Sequence, residues 1–184
     1  GETVAVLAGD ALLTDAFTVA ASAQLPPECV LEAIRILSEC AGSLGMVGGQ
    51  LLDLQSENRL LTEEEVLNIQ SRKTGALIRA ACAMGAVAAG ANEAQYDAAC
   101  RYAAGIGLAF QIRDDILDVI GSKEELGKSV GTDEKKNTFV RLYGIEQCES
   151  LVQKYTDYAL SAFDNSEDTA FIRELALQLT QRMK

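Results

Sequence analysis

The sequence predicts an all-α protein, a helical bundle that folds as a single domain over residues 1–184. Apolar residues recur at helical spacing along most of the chain, and no window shows the sustained alternation of a β-strand. The two prolines are adjacent, Pro26 and Pro27, so long helices are allowed nearly everywhere else. Hydrophobic residues make up 48% of the sequence, which supports a packed core.

Two helices are predicted in the first third of the chain. Residues 4–23 carry apolar side chains on most sides, which predicts a deeply buried helix. Pro27 opens a second helix, because proline fits a first turn, and this helix runs to about residue 57. Four glycines inside it predict a kink or a close approach to the backbone, and they are Gly42, Gly45, Gly48 and Gly49.

Two further helices have clear start signals. The capping box Thr62-Glu63-Glu64-Glu65 begins a third helix, which runs to about residue 90. Asn92, with Gln95 three residues later, begins a fourth helix that ends near Gly121.

The last third of the chain is predicted to begin with a loop. Residues 121–137 are polar and lack apolar periodicity. Three helices follow, over residues 138–143, 146–163 and 169–183, and the first of them ends at Gly144. The complete pattern predicts helices packed on helices around one core.

Charge and cysteine content exclude several classes of function. The net charge is −11, which argues against nucleic acid and anionic membrane surfaces as partners. The most apolar run, residues 80–91, is short for a membrane span, and the first residues have no signal-peptide pattern. The five cysteines form no C-x-x-C pair, which favours free thiols in a cytoplasmic protein over disulfides or a metal site.

One segment of the fourth helix is rich in aspartate, and it runs Phe110-Gln111-Ile112-Arg113-Asp114-Asp115-Ile116-Leu117-Asp118. On a helix Asp114 and Asp118 lie on one face, with Asp115 beside them. Like charges at this spacing repel, so a positive group is expected there. Oxygen ligands without nitrogen or sulfur suit Mg²⁺, which proteins often share with substrate phosphates. By itself, a D-D-x-x-D pattern also fits a solvated acidic face.

Four segments in order resemble motifs of the trans-type isoprenyl diphosphate synthases, the family of farnesyl and geranylgeranyl diphosphate synthases. They are Gly48-Gly49-Gln50-Leu51-Leu52-Asp53, Lys73-Thr74-Gly75, the aspartate segment, and Gly127-Lys128 with Gly131-Thr132-Asp133. The resemblance covers the later part of such an enzyme, and the family's first aspartate-rich motif has no match here. It implies a bundle of the isoprenoid synthase type that is incomplete at its N-terminus.

The resemblance also implies roles for individual residues. Asp114 matches the aspartate that binds Mg²⁺ directly, and Asp115 and Asp118 match partners that orient its waters. Lys73 matches the lysine that contacts the allylic diphosphate near the developing carbocation, and Thr74 lends oxygen atoms to the same region.

Four more side chains are assigned to the site in the same way. Gln50 and Gln111 line it, and Lys128 matches a second diphosphate-binding lysine. Lys136, in Lys136-Asn137-Thr138, resembles the family's K-x-[TS] pattern, although the gap from Asp133 is shorter than usual.

The implied function is Mg²⁺-dependent prenyl transfer, in which an allylic diphosphate and isopentenyl diphosphate are condensed head to tail by a cytoplasmic homodimer. These 184 residues alone are expected to be inactive, because they carry one of the two facing aspartate motifs. One alternative is a class I terpene cyclase, although the N-D-x-x-S-x-x-x-E pattern of those enzymes is missing. The other is a non-catalytic helical subunit with a solvated acidic face.

Overall fold

The computed structural model describes residues 1–126, 137–163 and 169–182, with side chains described as far as residue 121 in the first range. These residues form eight α-helices and no strand, which confirms the all-α prediction. The helices are α1 Glu2–Ala21, α2 Pro27–Ala41, α3 Met46–Gln55, α4 Glu63–Lys73, α5 Gly75–Ala88, α6 Glu93–Leu126, α7 Phe139–Leu160 and α8 Ala170–Gln181.

Helix α6 is the centre of the packing. Its Ile112 and Ile116 are fully buried in a cluster with residues of α4 and α7, among them Val66 and Phe139. The middle of α6 packs along α8, and α5 lies between α6 and α2. Burial of this apolar surface is the main stabilising term, at about 25 cal/mol per Å². The aspartate segment is therefore held on the most constrained helix of the domain.

The predicted helix starts are confirmed. Pro27 occupies the first turn of α2, and Thr62 and Glu65 form a reciprocal capping box at the start of α4. Asn92 and Gln95 exchange backbone and side-chain hydrogen bonds at the start of α6. The two side-chain caps satisfy N–H groups that the first helical turn leaves without partners, whereas Pro27 has no N–H group to satisfy.

Two predicted helices are each split into two. The glycine-containing helix ends at Ala41 and resumes at Met46. Glycine at position 45 permits this close backbone packing, because a Cβ atom there would lie only 2.0 Å from the carbonyl oxygen of Cys40. The third predicted helix breaks at Thr74, where φ is −109°. The predicted end of a short helix at Gly144 corresponds to a kink inside α7, where Gly144 has φ 76°, so the two predicted helices on either side form one element.

The predicted end of the fourth helix at Gly121 is wrong. Helix α6 continues to Leu126, because the residues after the glycine include the good helix formers lysine, glutamate and leucine. The rest of the predicted loop lies mostly outside the described residues.

The prediction that residues 4–23 are deeply buried is also wrong. Helix α1 contacts mainly α2, and its apolar side chains face solvent, with Leu12 71% and Val19 72% exposed. Periodicity identified the apolar surface correctly but not what covers it. Within the described part of the chain, α1 is also the one helix long and apolar enough to cross a membrane, by length and composition alone.

All five cysteines are free, as predicted. Cys40 and Cys148 are buried, and the other three are half-buried.

Candidate active site

The break between α4 and α5 positions the first pair of candidate residues. Lys73 ends α4, Thr74 has the non-ideal backbone, and Gly75 begins α5. Helix α3 packs directly against this break, because a Cβ atom on Gly49 would lie 2.4 Å from the backbone nitrogen of Lys73. Glycine at this position therefore lets the two backbones touch.

That approach also gives Lys73 an anionic partner. The Nζ atom of Lys73 lies 2.5 Å from Oδ2 of Asp53 on α3, and both side chains are about one-third exposed, at 35% and 33%. An exposed pair of this kind contributes at most about 1 kcal/mol to stability. The ammonium is thus held in a defined place while remaining accessible.

A chain of hydrogen bonds joins the break to the aspartate segment and to α7. The hydroxyl of Thr74 donates to Oε1 of Gln111 at 2.9 Å, and Nε2 of Gln111 donates to Oδ1 of Asp115 at 3.1 Å. The other carboxylate oxygen of Asp115 accepts the backbone N–H of Phe139 at 2.8 Å. Four residues, one at the α4–α5 break, two on α6 and one on α7, are therefore mutually oriented.

The three aspartates of the segment have different surroundings. Asp115 is buried and turned towards α7, where its carboxylate satisfies the first N–H of that helix. Asp114 is half-buried and forms a charged hydrogen bond with Arg182, and Asp118 is exposed. The structure does not bring the three together, and its described residues contain no group of three acidic, cysteine or histidine side chains placed to hold a metal ion.

The donor chemistry nevertheless fits a hard divalent cation. Asp114 and Asp118 are one helical turn apart and reach the surface of α6, and they offer oxygen atoms only. Asp115 is committed to Gln111 and Phe139, so its role towards a metal stays a prediction.

The negative charge of Asp115 affects the buried thiol of Cys148. Burial, together with the negative charges of Asp115 and Glu149, raises the pKa of the Cys148 thiol to about 11. A thiolate would be unfavourable beside the buried carboxylate, so Cys148 is protonated at neutral pH. The Cys148 thiol is therefore an inert part of the core.

A cavity of about 290 Å³ adjoins the α4–α5 break. Small residues of α5 and α6 form much of its wall, since Gly75 and Ala76 face it from one side and Ala104 and Gly107 from the other. Most of the wall is apolar, and its polar part comes from α4 and α5 and consists of Gln70, Ser71, Arg72 and Arg79.

The remaining predicted site residues are less connected to this arrangement. Gln50 lies exposed on α3. Lys128 and Lys136 lie outside the described residues. Beside Lys136, Asn137 donates to the carbonyl oxygens of Ser56 and Arg59, which fastens the start of α7 to the turn after α3.

Sequence reasoning missed two partners of the predicted residues. Asp53, one turn after Gln50, pairs with Lys73, and Arg182 pairs with Asp114 across 68 positions of sequence. The aspartate is part of the segment that carried the resemblance, whereas nothing in the local pattern distinguishes Arg182 from a surface residue.

Comparison with known proteins finds relatives that all belong to one family. A family model described as polyprenyl synthetase matches residues 1–175. The chain is 47% identical over 153 residues to the farnesyl diphosphate synthase of Micrococcus luteus, with 82% of this chain covered. It is 40% identical to the farnesyl diphosphate synthase of Escherichia coli K12, with 100% of this chain covered.

Solved structures agree with the sequence comparisons. The structure of the Helicobacter pylori geranyltransferase complexed with magnesium and isoprenyl diphosphate superposes with a TM-score of 0.79 at 36% identity, over 98% of this chain and 60% of that one. The chain spans 53% of the Micrococcus protein and 65% of the Escherichia protein, so it corresponds to a part of each relative.

Proposed function

The chain belongs to the polyprenyl synthetase family, and from this we propose that it forms the part of a Mg²⁺-dependent prenyltransferase that binds the allylic diphosphate. The complete reaction would condense that substrate head to tail with isopentenyl diphosphate, yielding farnesyl or geranylgeranyl diphosphate. The relatives compared above carry names of this reaction class, which favours prenyl transfer over a terpene cyclase or a non-catalytic subunit.

The observation that carries the proposal is the junction of the α4–α5 break with α6. It presents an accessible ammonium, Lys73, on one side and a hydrogen-bonded Thr74–Gln111 pair on the other. A departing diphosphate carries negative charge, and a positioned cation lowers the barrier to its departure. We assign the hydrocarbon part of the substrate to the cavity beside the break, because the part of its wall that α6 forms, Ala104, Gly107 and Leu108, is apolar.

Asp114 and Asp118 are the residues that would hold Mg²⁺, which when bound neutralises charge on the leaving diphosphate. The Helicobacter relative was solved as a complex with magnesium and isoprenyl diphosphate, which supports Mg²⁺ as the metal of the proposed site. Asp115 would then act mainly by orienting Gln111, and through it Thr74. We keep Gln50, Lys128 and Lys136 as diphosphate-site residues on the resemblance alone.

The proposal includes a cytoplasmic homodimer without a membrane span. Five free thiols suit a reducing compartment. Helix α1 carries Asp10 and Asp15 within its length, which disfavours a place in lipid, and its uncovered apolar side chains suit a helical interface.

Binding to the chain itself provides the first test. Calorimetric titration with dimethylallyl diphosphate should show binding that requires Mg²⁺, is lost in Asp114→Ala and is weakened in Lys73→Ala. The variant Arg173→Gln is the control, because it also removes one charge but lies on α8, bonded to Leu160. Binding that does not require Mg²⁺ and has the same affinity in both site variants would refute the proposed site.

A product assay tests the reaction. The 184 residues alone should give no product from dimethylallyl and isopentenyl diphosphates, since one carboxylate cluster cannot neutralise the leaving group from both sides. A chimera with the preceding part of the Escherichia relative should give product, and Asp114→Ala in it should lower turnover by at least about a thousandfold. A folded chimera whose activity survives Asp114→Ala would contradict the assignment.

A further inference from the structure

Helix α8 lies along α6 in a fixed register that brings its C-terminal end to the aspartate segment. Near the start of α8, the carbonyl oxygen of Ile172 accepts a hydrogen bond from the hydroxyl of Tyr102 on α6 at 2.7 Å. Near its end, Nε of Arg113 donates to the carbonyl oxygen of Thr180 at 2.7 Å. From the first bond to the second, the residue number rises on α6 and on α8, so the two helices run in the same direction. The residue after α8 therefore reaches Asp114.

That residue, Arg182, is held by two contacts. Its guanidinium forms a charged hydrogen bond with Oδ1 of Asp114, and its Cζ atom lies 4.0 Å from the centre of the Phe110 ring. Both partners belong to the aspartate segment and lie one turn apart, so the guanidinium covers the face of α6 that carries Asp114.

The contact is incompletely satisfied. The Nε atom of Arg182 is buried without a hydrogen-bond acceptor. A buried donor without a partner is unfavourable, so it offsets part of what the ion pair contributes. Arg113 lies close by and is already engaged bidentately with Glu149, which adds repulsion between two guanidinium groups.

We propose that Arg182 is a displaceable counter-ion of Asp114, which neutralises that carboxylate until a divalent cation takes its place. A divalent cation and a guanidinium on the same carboxylate repel each other at such short range, so the two states exclude one another. Occupation of Asp114 by a cation would release the Arg182 guanidinium from that carboxylate. The inference rests on the proposed metal-binding role of Asp114.

Competition of this kind lowers the apparent affinity for the cation by the fraction of molecules in which Asp114 is free. For a partly exposed ion pair, removal of the competitor should strengthen Mg²⁺ binding about threefold to tenfold. Arg182→Gln should therefore bind Mg²⁺ more tightly than the unmodified chain in calorimetric titration. Arg173→Gln, which removes the same charge from the same helix, should stay within about twofold.

A second readout follows the guanidinium itself. The Nε–H resonance of Arg182, assigned by its disappearance in Arg182→Lys, should move when Mg²⁺ is added to the unmodified chain. It should not move in Asp114→Asn. This measurement needs no change at Arg182, so it stands even if Arg182→Gln folds poorly.

The outcomes separate the two levels of the inference. If Mg²⁺ binds through Asp114 but Arg182→Gln behaves like Arg173→Gln or binds more weakly, or the resonance stays fixed, the counter-ion role is wrong while the metal site stands. If neither the unmodified chain nor Arg182→Gln binds Mg²⁺ through Asp114, both the counter-ion and the metal assignment fail.

Discussion

Asp114 and Asp115 are adjacent in sequence, yet their carboxylates lie in opposite surroundings. Asp115 is 5% exposed and accepts hydrogen bonds from Gln111 and from the start of α7, whereas Asp114 is half-buried beside Arg182. A helix turns about 100° per residue, so neighbouring side chains reach different faces. Asp115 therefore has a structural role, whereas Asp114 is paired with Arg182 and is the residue proposed to bind a metal ion.

Substitution should separate these roles. Asp115→Ala should lower the free energy of unfolding by about 2 kcal/mol, because it leaves the Phe139 N–H and the Gln111 amide without their acceptor. Asp118→Ala removes an exposed carboxylate and should change it by less than about 0.5 kcal/mol. Urea denaturation of both variants measures the difference, and equal stabilities would show that Asp115 has no structural role.

Alkaline pH should destabilise the protein through Cys148. The fold raises the pKa of this thiol from 9.0 to about 11, so it favours the protonated form. The unfolded chain loses the proton first, and stability should fall as pH rises from about 9 to 11, by at most about 2 kcal/mol. Burial also raises the pKa of Cys82, which contributes with the same sign.

Denaturation midpoints at pH 8 and pH 10 test this dependence. Cys148→Ala should flatten the decline, whatever its effect on stability at neutral pH. A decline as steep as that of the unmodified protein would place the titrating group elsewhere.

At the scale of helices, the site depends on the places where helices are interrupted. The break at Thr74 lets its hydroxyl reach Gln111, and the packing of α3 at Gly49 places Asp53 beside Lys73. Helix interruptions are unfavourable by themselves and persist where packing enforces them. The positions that weaken α3 and α4 are therefore the ones that assemble the site.

Gly49→Ala should disturb both the packing and the site. Its new Cβ would lie 2.4 Å from the Lys73 nitrogen, which forces α3 and α4 apart and should cost about 1–3 kcal/mol of stability. Gly85→Ala is the matched control, because nothing lies within 4 Å of a Cβ there and alanine favours the helix. If both variants unfolded at the same urea concentration, the close contact at Gly49 would not exist.

Local sequence signals predicted the helix starts, but they did not predict the long-range contacts. Pro27, the Thr62 capping box and Asn92 act within one turn of the backbone, so their residue types identify them. The Lys73–Asp53 and Asp114–Arg182 pairs depend on the packing of separate helices, which periodicity alone does not reveal. The resemblance supplied the candidate site residues, but it did not indicate which of them the fold uses as structural partners.

At the scale of the whole molecule, α1 and α2 carry apolar side chains that the described residues leave exposed. Leu12 and Val19 of α1, Leu31 of α2 and Leu44 before α3 are all more than half exposed. An exposed apolar helix face of this kind is a candidate interface. The domain has its core around α6 and a second apolar face that the chain leaves uncovered.

Self-association through α1 should follow. The chain should sediment as a dimer or larger species at high micromolar concentration, and Leu12→Ser combined with Val19→Ser should shift it towards monomer. Phe171→Ser is the control, because Phe171 is 78% exposed on α8, away from α1. A strictly monomeric unmodified chain, or an equal effect of Phe171→Ser, would argue against this interface.

The backbone amide of Phe139, on α7, is linked to the candidate site by hydrogen bonds, so its exchange with solvent depends on the state of that site. This N–H is bonded to Asp115, which also holds Gln111, and Gln111 in turn receives the Thr74 hydroxyl. An amide proton is replaced by deuterium from solvent only when its hydrogen bond opens. Slow exchange at this one peptide group is therefore a readout of whether α6, α7 and the Thr74 break are engaged, and it can be followed without substrate or any substitution.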